Sequence, residues 1–331
     1  MPDKSPILQL FESFVDVKAL VVGDVMLDHY LYGQLNRISA EAPIPIVDIE
    51  GKEDRLGGAA NVALNMHRMG ANCVLASVIG DDSAGEIVYK LLEDNEMPMW
   101  GMMRNASRIT TVKSRVFSNN RQVNRFDEEM RTPLSEQLEL AFINLVENLI
   151  DRQEPNVVVL QDYNKGVMTE NVITQIIKLC KEKEIAVAAD PKFDNFFAYK
   201  GCTLFKPNLA EASKGVGMPI DPASTESLEK ACNFIKGSLE NQYTVITLAD
   251  KGMYMHNEEA GELSPAFSHN IFDVSGAGDT VIAVLAMGLA LNQNMYFFMD
   301  LANLAASQVC KQVGVEPVNL KRLYEAAEGM V

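Results

Sequence analysis

Late in the chain stands the run Asp273-Val274-Ser275-Gly276-Ala277-Gly278-Asp279-Thr280, followed at once by an apolar helical stretch. Gly-Ala-Gly opening a helix leaves several backbone N–H groups unpaired and lets an anion approach closely. The positive end of the helix dipole adds to that attraction. A carboxylate at Asp279, in the first turn, would stand beside the pocket. Such a constellation suits phosphoryl transfer: the amides of Gly276, Ala277 and Gly278 stabilise the moving phosphoryl group, and Asp279 takes the proton of the attacking hydroxyl. The plainer meaning is a glycine turn with an acidic residue well placed at a helix start. Flanking Asp273 and Thr280, and the position late in an alternating chain, favour the chemical meaning.

Three further sites invite the same question. Gly57-Gly58-Ala59-Ala60-Asn61 precedes a helix; paired glycines permit close approach of a ligand, and Asn61 offers a donor and an acceptor to a polyol. A tight loop-to-helix turn explains it equally well. Asp24 and Asp28, just past the first apolar run, are placed to accept hydrogen bonds from sugar hydroxyls, or to form a solvated acidic turn. In Lys206-Pro207-Asn208-Leu209-Ala210-Glu211, Asn208 and Glu211 lie three apart on one helix face. There they would orient hydrated Mg²⁺ and nucleotide phosphates, or simply cap the helix.

Charge patterning adds a clue. Between residues 104 and 131 lie seven basic side chains (Arg104, Arg108, Lys113, Arg115, Arg121, Arg125, Arg131) against three acidic ones (Asp127, Glu128, Glu129), a local balance of 7 − 3 = +4. A phosphorylated substrate gripped by arginine would account for it, as would a solvated lid or salt bridges to the acidic body. No Gly-x4-Gly-Lys-Ser/Thr loop occurs, and Val281 stands where a dinucleotide fingerprint wants glycine. The four histidines (His29, His67, His256, His269) have no metal-ligand spacing.

These residues need a scaffold, and the apolar pattern supplies one. Runs at 18–23, 73–79, 157–160, 185–189, 203–205 and 244–248 read as buried strands; 61–69, 83–94, 135–150, 169–181 and a stretch marked by Leu228, Cys232, Ile235 and Leu239 read as helices. Three more helical segments follow the Gly276 turn. Strand alternating with helix predicts an α/β fold: a central, mostly parallel sheet covered on both faces, with its site beyond the carboxyl ends of the strands. Residues 30–56 and 109–126 interrupt the alternation with extended pieces at 44–49, 111–117 and 122–126. They form either a small accessory sheet or long surface loops.

With 331 residues, 47% of them hydrophobic, the chain can bury a large core as one domain or two. Its formal net charge of −16 repels phosphate backbones, which argues against nucleic-acid binding. The longest apolar run, 281–291, is shorter than the roughly 20 residues that span a membrane, and the first residues do not resemble a signal peptide. Five scattered cysteines fit a reducing compartment, so a cytoplasmic location is expected.

Residues 57–63 (GGAANVA) and 273–280 (DVSGAGDT) resemble the two signatures of the ribokinase-like carbohydrate kinases, and 208–211 (NLAE) matches that family's Asn-x-x-Glu motif. The similarity runs over essentially the whole chain, in the expected order. It implies one three-layer α/β/α kinase domain over residues 1–331, with a β lid built from the insertions near 30–56 and 109–126. Stretches at 21–49, 124–129 and 161–167 (QDYNKGV) are most similar to the branch that phosphorylates D-glycero-β-D-manno-heptose 7-phosphate. That branch uses ATP and Mg²⁺ on the anomeric hydroxyl, giving the 1,7-bisphosphate on the way to ADP-heptose.

Carried over, the resemblance makes Asp279 the base, with Gly276, Ala277 and Gly278 as anion hole. Asn208, Glu211, Thr247, Lys251 and Gly252 would serve ATP, with Glu211 reaching the metal through water. Asp24, Asp28, Gly57, Gly58 and Asn61 would hold the sugar, and Arg115, Arg125, Lys165 and Lys192 its phosphate. It also implies a homodimer through the β lid. Two features depart from the pattern. The nucleotide loop, often Thr-x-Gly-x-x-Gly in relatives, runs Thr247-Leu248-Ala249-Asp250-Lys251-Gly252. The fused nucleotidyltransferase of many relatives, with its His-x-Gly-His motif, has no counterpart here, so the adenylyl step is expected of another protein.

Overall fold

A computed structural model describes residues 5–119, 121–267 and 272–330; His269, among the histidines considered above, lies outside them. The chain opens with helix α1 (Pro6–Glu12) and runs into the buried strand β1 (Lys18–Gly23). Only Asp24 separates β1 from β2 (Val25–Ile38), which pairs antiparallel with β3 (Pro45–Gly58) before α2 (Ala59–Arg68). Then come β4 (Asn72–Gly80), α3 (Ser83–Asp94), β5 (Met102–Asn105), β6 (Thr111–Ser118), β7 (Arg121–Glu128) and α4 (Glu136–Gln153). The alternation resumes as β8 (Val157–Gln161), α5 (Glu170–Glu182), β9 (Ala186–Asp190), β10 (Leu204–Phe205), α6 (Leu209–Val216), α7 (Thr225–Leu239) and β11 (Tyr243–Thr247). A hairpin of β12 (Met253–His256) and β13 (Gly261–Ser264) leads to α8 (Ala277–Ala290), α9 (Met295–Val309) and α10 (Leu320–Ala327).

Nine strands form one sheet in the order β13-β12-β11-β10-β9-β8-β1-β4-β5. It is parallel from β5 to β11 and antiparallel only in the last two strands. Because strand side chains alternate between faces, β1 sends Ala19 and Val21 to one core and Leu20 and Val22 to the other. The first core is closed by α2, α3, α8 and α9, the second by α4, α5, α6 and α7. This is the three-layer α/β fold expected from the alternation, with helices on both faces of a mostly parallel sheet.

The extended pieces also form a sheet: β3-β2-β6-β7, four strands beside the main one. It begins earlier than the expected residue 30, because β2 runs on from β1 almost without a break. Among the described residues no helix is long and apolar enough to cross a membrane.

Register brings the chemistry to one edge. Gly23 lies opposite Gln161, and Gln161 opposite Asp190, so β1, β8 and β9 end level with one another. Asp24, Asp162 and Lys206 follow within a residue of their strand ends. The amino end of α8 faces that edge, where sites in parallel sheets are found.

Candidate active site

Gly276 caps α8 with φ +79°, and a Cβ there would come within 2.9 Å of the Asn61 Nδ2. Only glycine takes this turn at little cost. Within the described residues no acceptor faces the N–H of Gly276, Gly278 or Asp279, whereas the Ala277 N–H donates to the Val274 carbonyl at 3.2 Å. The amide pocket therefore consists of Gly276, Gly278 and Asp279; Ala277, expected to contribute, has its N–H engaged.

Asp279 is 3% exposed and accepts three hydrogen bonds. Tyr163 Oη (2.7 Å) and Gln161 Nε2 (3.2 Å) donate to its Oδ1, and Asn61 Nδ2 (2.9 Å) to its Oδ2. Burial, with some help from the charge of Asp190, pushes its pKa up to about 6; the bonds from Asn61 and Tyr163 and the Lys206 ammonium pull the other way. A buried carboxylate with a pKa this close to neutrality is suited to general-base work.

Behind it lies a second set. Gln161 Nε2 also donates to Asp190 Oδ2 at 3.0 Å, and Lys206 Nζ pairs with the same oxygen at 3.0 Å. A Cβ on Gly278 would stand 3.8 Å from Lys206 Nζ, so the ammonium sits at the first turn of α8. Sequence reasoning singled out none of Gln161, Tyr163, Asp190 and Lys206 as site residues. Lys206 was inside a quoted motif, and Gln161 and Tyr163 inside the QDYNKGV stretch; for Asp190 the only signal was its place at a strand end.

Several expected sugar contacts serve the protein itself. The Asp24 carboxylate is buried and accepts from three main-chain N–H groups, those of Tyr163 (2.8 Å), Lys165 (3.0 Å) and Val167 (3.1 Å). Neither a solvated turn nor an open sugar contact describes it. Burial raises its pKa against the pull of those amides. Asn61 turns its amide to Asp279 and is itself braced by Asn65 (2.8 Å to its carbonyl). Asp28 projects from β2 into a buried ion pair with Arg115 of β6, and burial raises its pKa against that pairing. Gly57 and Gly58 end β3; Gly58 has φ +60°, and a Cβ there would lie 2.4 Å from the Asp24 carbonyl oxygen.

The basic cluster is largely paired. Lys165 Nζ meets Glu129 at 2.6 Å, Arg125 binds Asp127 through two bonds of 2.6 and 2.7 Å, and Lys113 lies 3.7 Å from the same Asp127. Asp127 and Glu129 are already counted in the local +4, which is offset instead from outside the stretch, by Asp28 at Arg115 and Glu86 at Arg104. Among the described residues five cations (Lys113, Arg115, Arg125, Arg131, Lys165) face three carboxylates (Asp28, Asp127, Glu129). Burial, then the nearby charges of Arg125 and Lys165, push the Lys113 pKa down. Arg125 itself is exposed on β7.

At the start of α6, Asn208 and Glu211 form a reciprocal capping box, each side chain taking the other's N–H at 2.8 Å. The second Glu211 oxygen pairs with Lys192 at 2.5 Å, and Lys192 Nζ also lies 5.1 Å from the centre of the Tyr163 ring. Thr247 bridges Asn208 at the end of β11, next to a short turn in which Lys251 is exposed and Gly252 has φ +94°. Ala249, in the same turn, has φ +55°. Among the described residues no group of three or more His, Cys, Asp or Glu side chains could hold a metal ion. A single carboxylate, Glu211, already shared with Lys192, fits a hydrated ion carried on ATP phosphates better than a protein cage.

A model of the family described as pfkB family carbohydrate kinase matches residues 17–322. The chain belongs to that family. It is 35% identical over 326 residues to the Bifunctional protein HldE of Syntrophotalea carbinolica, covering 98% of this chain and 66% of that protein. To the Bifunctional protein HldE of Wolinella succinogenes it is 38% identical over 295 residues, covering 89% of this chain and 61% of that one. The family member described here thus spans less than two thirds of the length of these curated relatives. Among solved structures, phosphofructokinase-2 from Escherichia coli has the same fold, with a TM-score of 0.76 at 17% identity over 94% of this chain and 99% of that one. Ribokinase from Arabidopsis thaliana matches with a TM-score of 0.72 at 17% identity over 93% and 99%.

Proposed function

We propose that this pfkB-family chain is an ATP-dependent sugar kinase with Asp279 as its general base. The observation that carries this is a buried carboxylate with its pKa pushed up to about 6, set in the first turn of α8 beside amides that have no acceptor among the described residues. In the reaction the acceptor hydroxyl gives its proton to Asp279 while its oxygen bonds to the γ-phosphorus. The bond from that phosphorus to the β,γ-bridging oxygen breaks, and its electron pair leaves on ADP. The N–H groups of Gly276, Gly278 and Asp279 and the Lys206 ammonium stabilise the negative charge on the group in transit. Mg²⁺ bound with ATP would neutralise the β- and γ-phosphate oxygens, with Glu211 and Asn208 on its side of the site.

The proposed acceptor is D-glycero-β-D-manno-heptose 7-phosphate, phosphorylated on its anomeric hydroxyl. Support comes from the similar stretches at 21–49, 124–129 and 161–167 and from the cations between the small sheet and the loop after β8. A dianionic phosphate there would relieve the mutual repulsion of Lys113, Arg125 and Lys165. The small sheet is proposed as a lid. Its exposed Leu35, Ile38, Ile49, Val123 and Phe126 support its use as the contact with a second copy of the chain.

A second possibility, an uncharged acceptor such as fructose or ribose, is favoured by one observation. Arg115, Arg125 and Lys165 each already have a carboxylate partner. An ATP-consumption screen over sugars and sugar phosphates, with mass spectrometry of the product, separates the two. The heptose 7-phosphate should be consumed and gain one phosphate; preferential turnover of a neutral sugar would overturn the proposed acceptor.

A further inference from the structure

We propose that Tyr163 is a positioning residue for the base: its hydroxyl, set in place by Asp24, commits Oδ1 of Asp279 to the protein and leaves Oδ2 as the oxygen that takes the proton. The proposal rests on the reading of Asp279 as the base. A carboxylate has about four acceptor positions, two on each oxygen. Tyr163 and Gln161 fill both on Oδ1, and Asn61 fills one on Oδ2. No donor among the described residues fills the fourth position, on Oδ2, which we assign to a substrate hydroxyl.

The placement of Tyr163 is built rather than incidental. It stands two residues past β8, in a loop wound onto the Asp24 carboxylate by the amides of residues 163, 165 and 167. Its ring passes over Gly58, where an added Cβ would lie 3.5 Å from the ring edge, and Lys192 sits on its face. Burial, followed by the charges of Asp279 and Asp190, raises the phenol's pKa well above its ordinary value. Tyr163 therefore stays a proton donor to Asp279 at any working pH.

Other groups around Asp279 set the background. From α2 comes Asn61, which is neutral; from β8, Gln161; from β9, Asp190; from the segment after β10, Lys206. Lys192, after β9, is drawn toward Asp279, and Asp28 of β2 bears on Tyr163. On α9 the titratable Tyr296 and Asp300 flank Phe298, which packs on Gly288, more than two turns along α8 from Asp279.

Infrared titration of the free protein, with Asp279→Asn as the baseline that assigns the carboxyl band, tests this without relying on the acceptor. Loss of one hydrogen bond to an ionised group predicts a midpoint about one pH unit higher in Tyr163→Phe, roughly a tenfold change in proton affinity. Asp24→Asn cannot accept from the amides on both sides, and should move the midpoint in the same direction. The acid limb of kcat/KM for the acceptor in Tyr163→Phe should follow the infrared midpoint, with turnover within about threefold of the parent above it and KM for ATP unchanged. An unmoved midpoint, or turnover depressed equally at every pH, would overturn the role of Tyr163; an unmoved midpoint in Asp24→Asn alone would overturn that of Asp24. Near-normal turnover in Asp279→Asn would instead remove the base assignment while leaving the infrared result standing.

Discussion

Asn61 Nδ2 donates to Asp279 Oδ2 across 2.9 Å, although the two residues are 218 positions apart. One bond thereby joins the two glycine-rich segments, 57–61 and 276–279, into a single site. Asn61 is buried in the first turns of α2 and fixes the orientation of a carboxylate in the first turn of α8. The proposed base, held this way, needs no reorientation before it acts, which is where much of the advantage of a preorganised site lies.

The first consequence is a pH profile. Asp279 must be ionised to take a proton, and its pKa is pushed up to about 6. Because kcat/KM reports the free enzyme, kcat/KM for the acceptor should be level above that value and fall about tenfold per pH unit below it. Steady-state kcat/KM measured from pH 4.5 to 8 checks this; a plateau reaching down to the ordinary carboxylate range would show that the titrating group is not buried Asp279.

The turn after β11 carries a backbone prediction. Ala249 has φ +55°, a conformation that costs a residue with a Cβ roughly 1–2 kcal/mol. Ala249→Gly removes that strain and gives back about 0.5–1 kcal/mol through the greater freedom of the unfolded chain. The net expectation is a gain of about 0.5–1 kcal/mol, read as a higher urea midpoint at unchanged slope. A lower midpoint would mean that the turn tolerates alanine without strain.

Arg125 offers a test of substrate class. It is exposed on β7 and, among the described residues, paired only with Asp127, so its removal leaves the core intact. Arg125→Gln should raise KM for a sugar phosphate by about 5–10-fold, with kcat nearly constant and KM for a neutral sugar unmoved. Equal effects on charged and neutral acceptors would remove Arg125 from phosphate recognition.

Much of the scaffold could be read from local pattern, because strands buried on both faces appear as short apolar runs and the helices between them have regular stripes. The capping pair Asn208 and Glu211 was legible for the same reason: it obeys a rule three residues long. What local pattern hid was set by distant partners. Asp24 follows a strand and looks solvent-facing, yet amides some 140 positions away bury it. Asp28 sits inside a strand because Arg115, 87 positions on, neutralises it. Tyr163 and Gln161 reach Asp279 only through the register that levels β1, β8 and β9, which no single stretch of sequence encodes. The basic island was visible as composition, but its pairing with Glu129 and Asp127 required the folded sheet.

The most direct measurement compares the parent protein with Asp279→Asn for ATP turnover and nucleotide binding in the same preparation. Nucleotide affinity should change little while turnover drops by about 10²–10⁴, the usual worth of a general base. Turnover within a few-fold of the parent, with nucleotide bound as before, would contradict the assignment of Asp279 and with it the proposed mechanism.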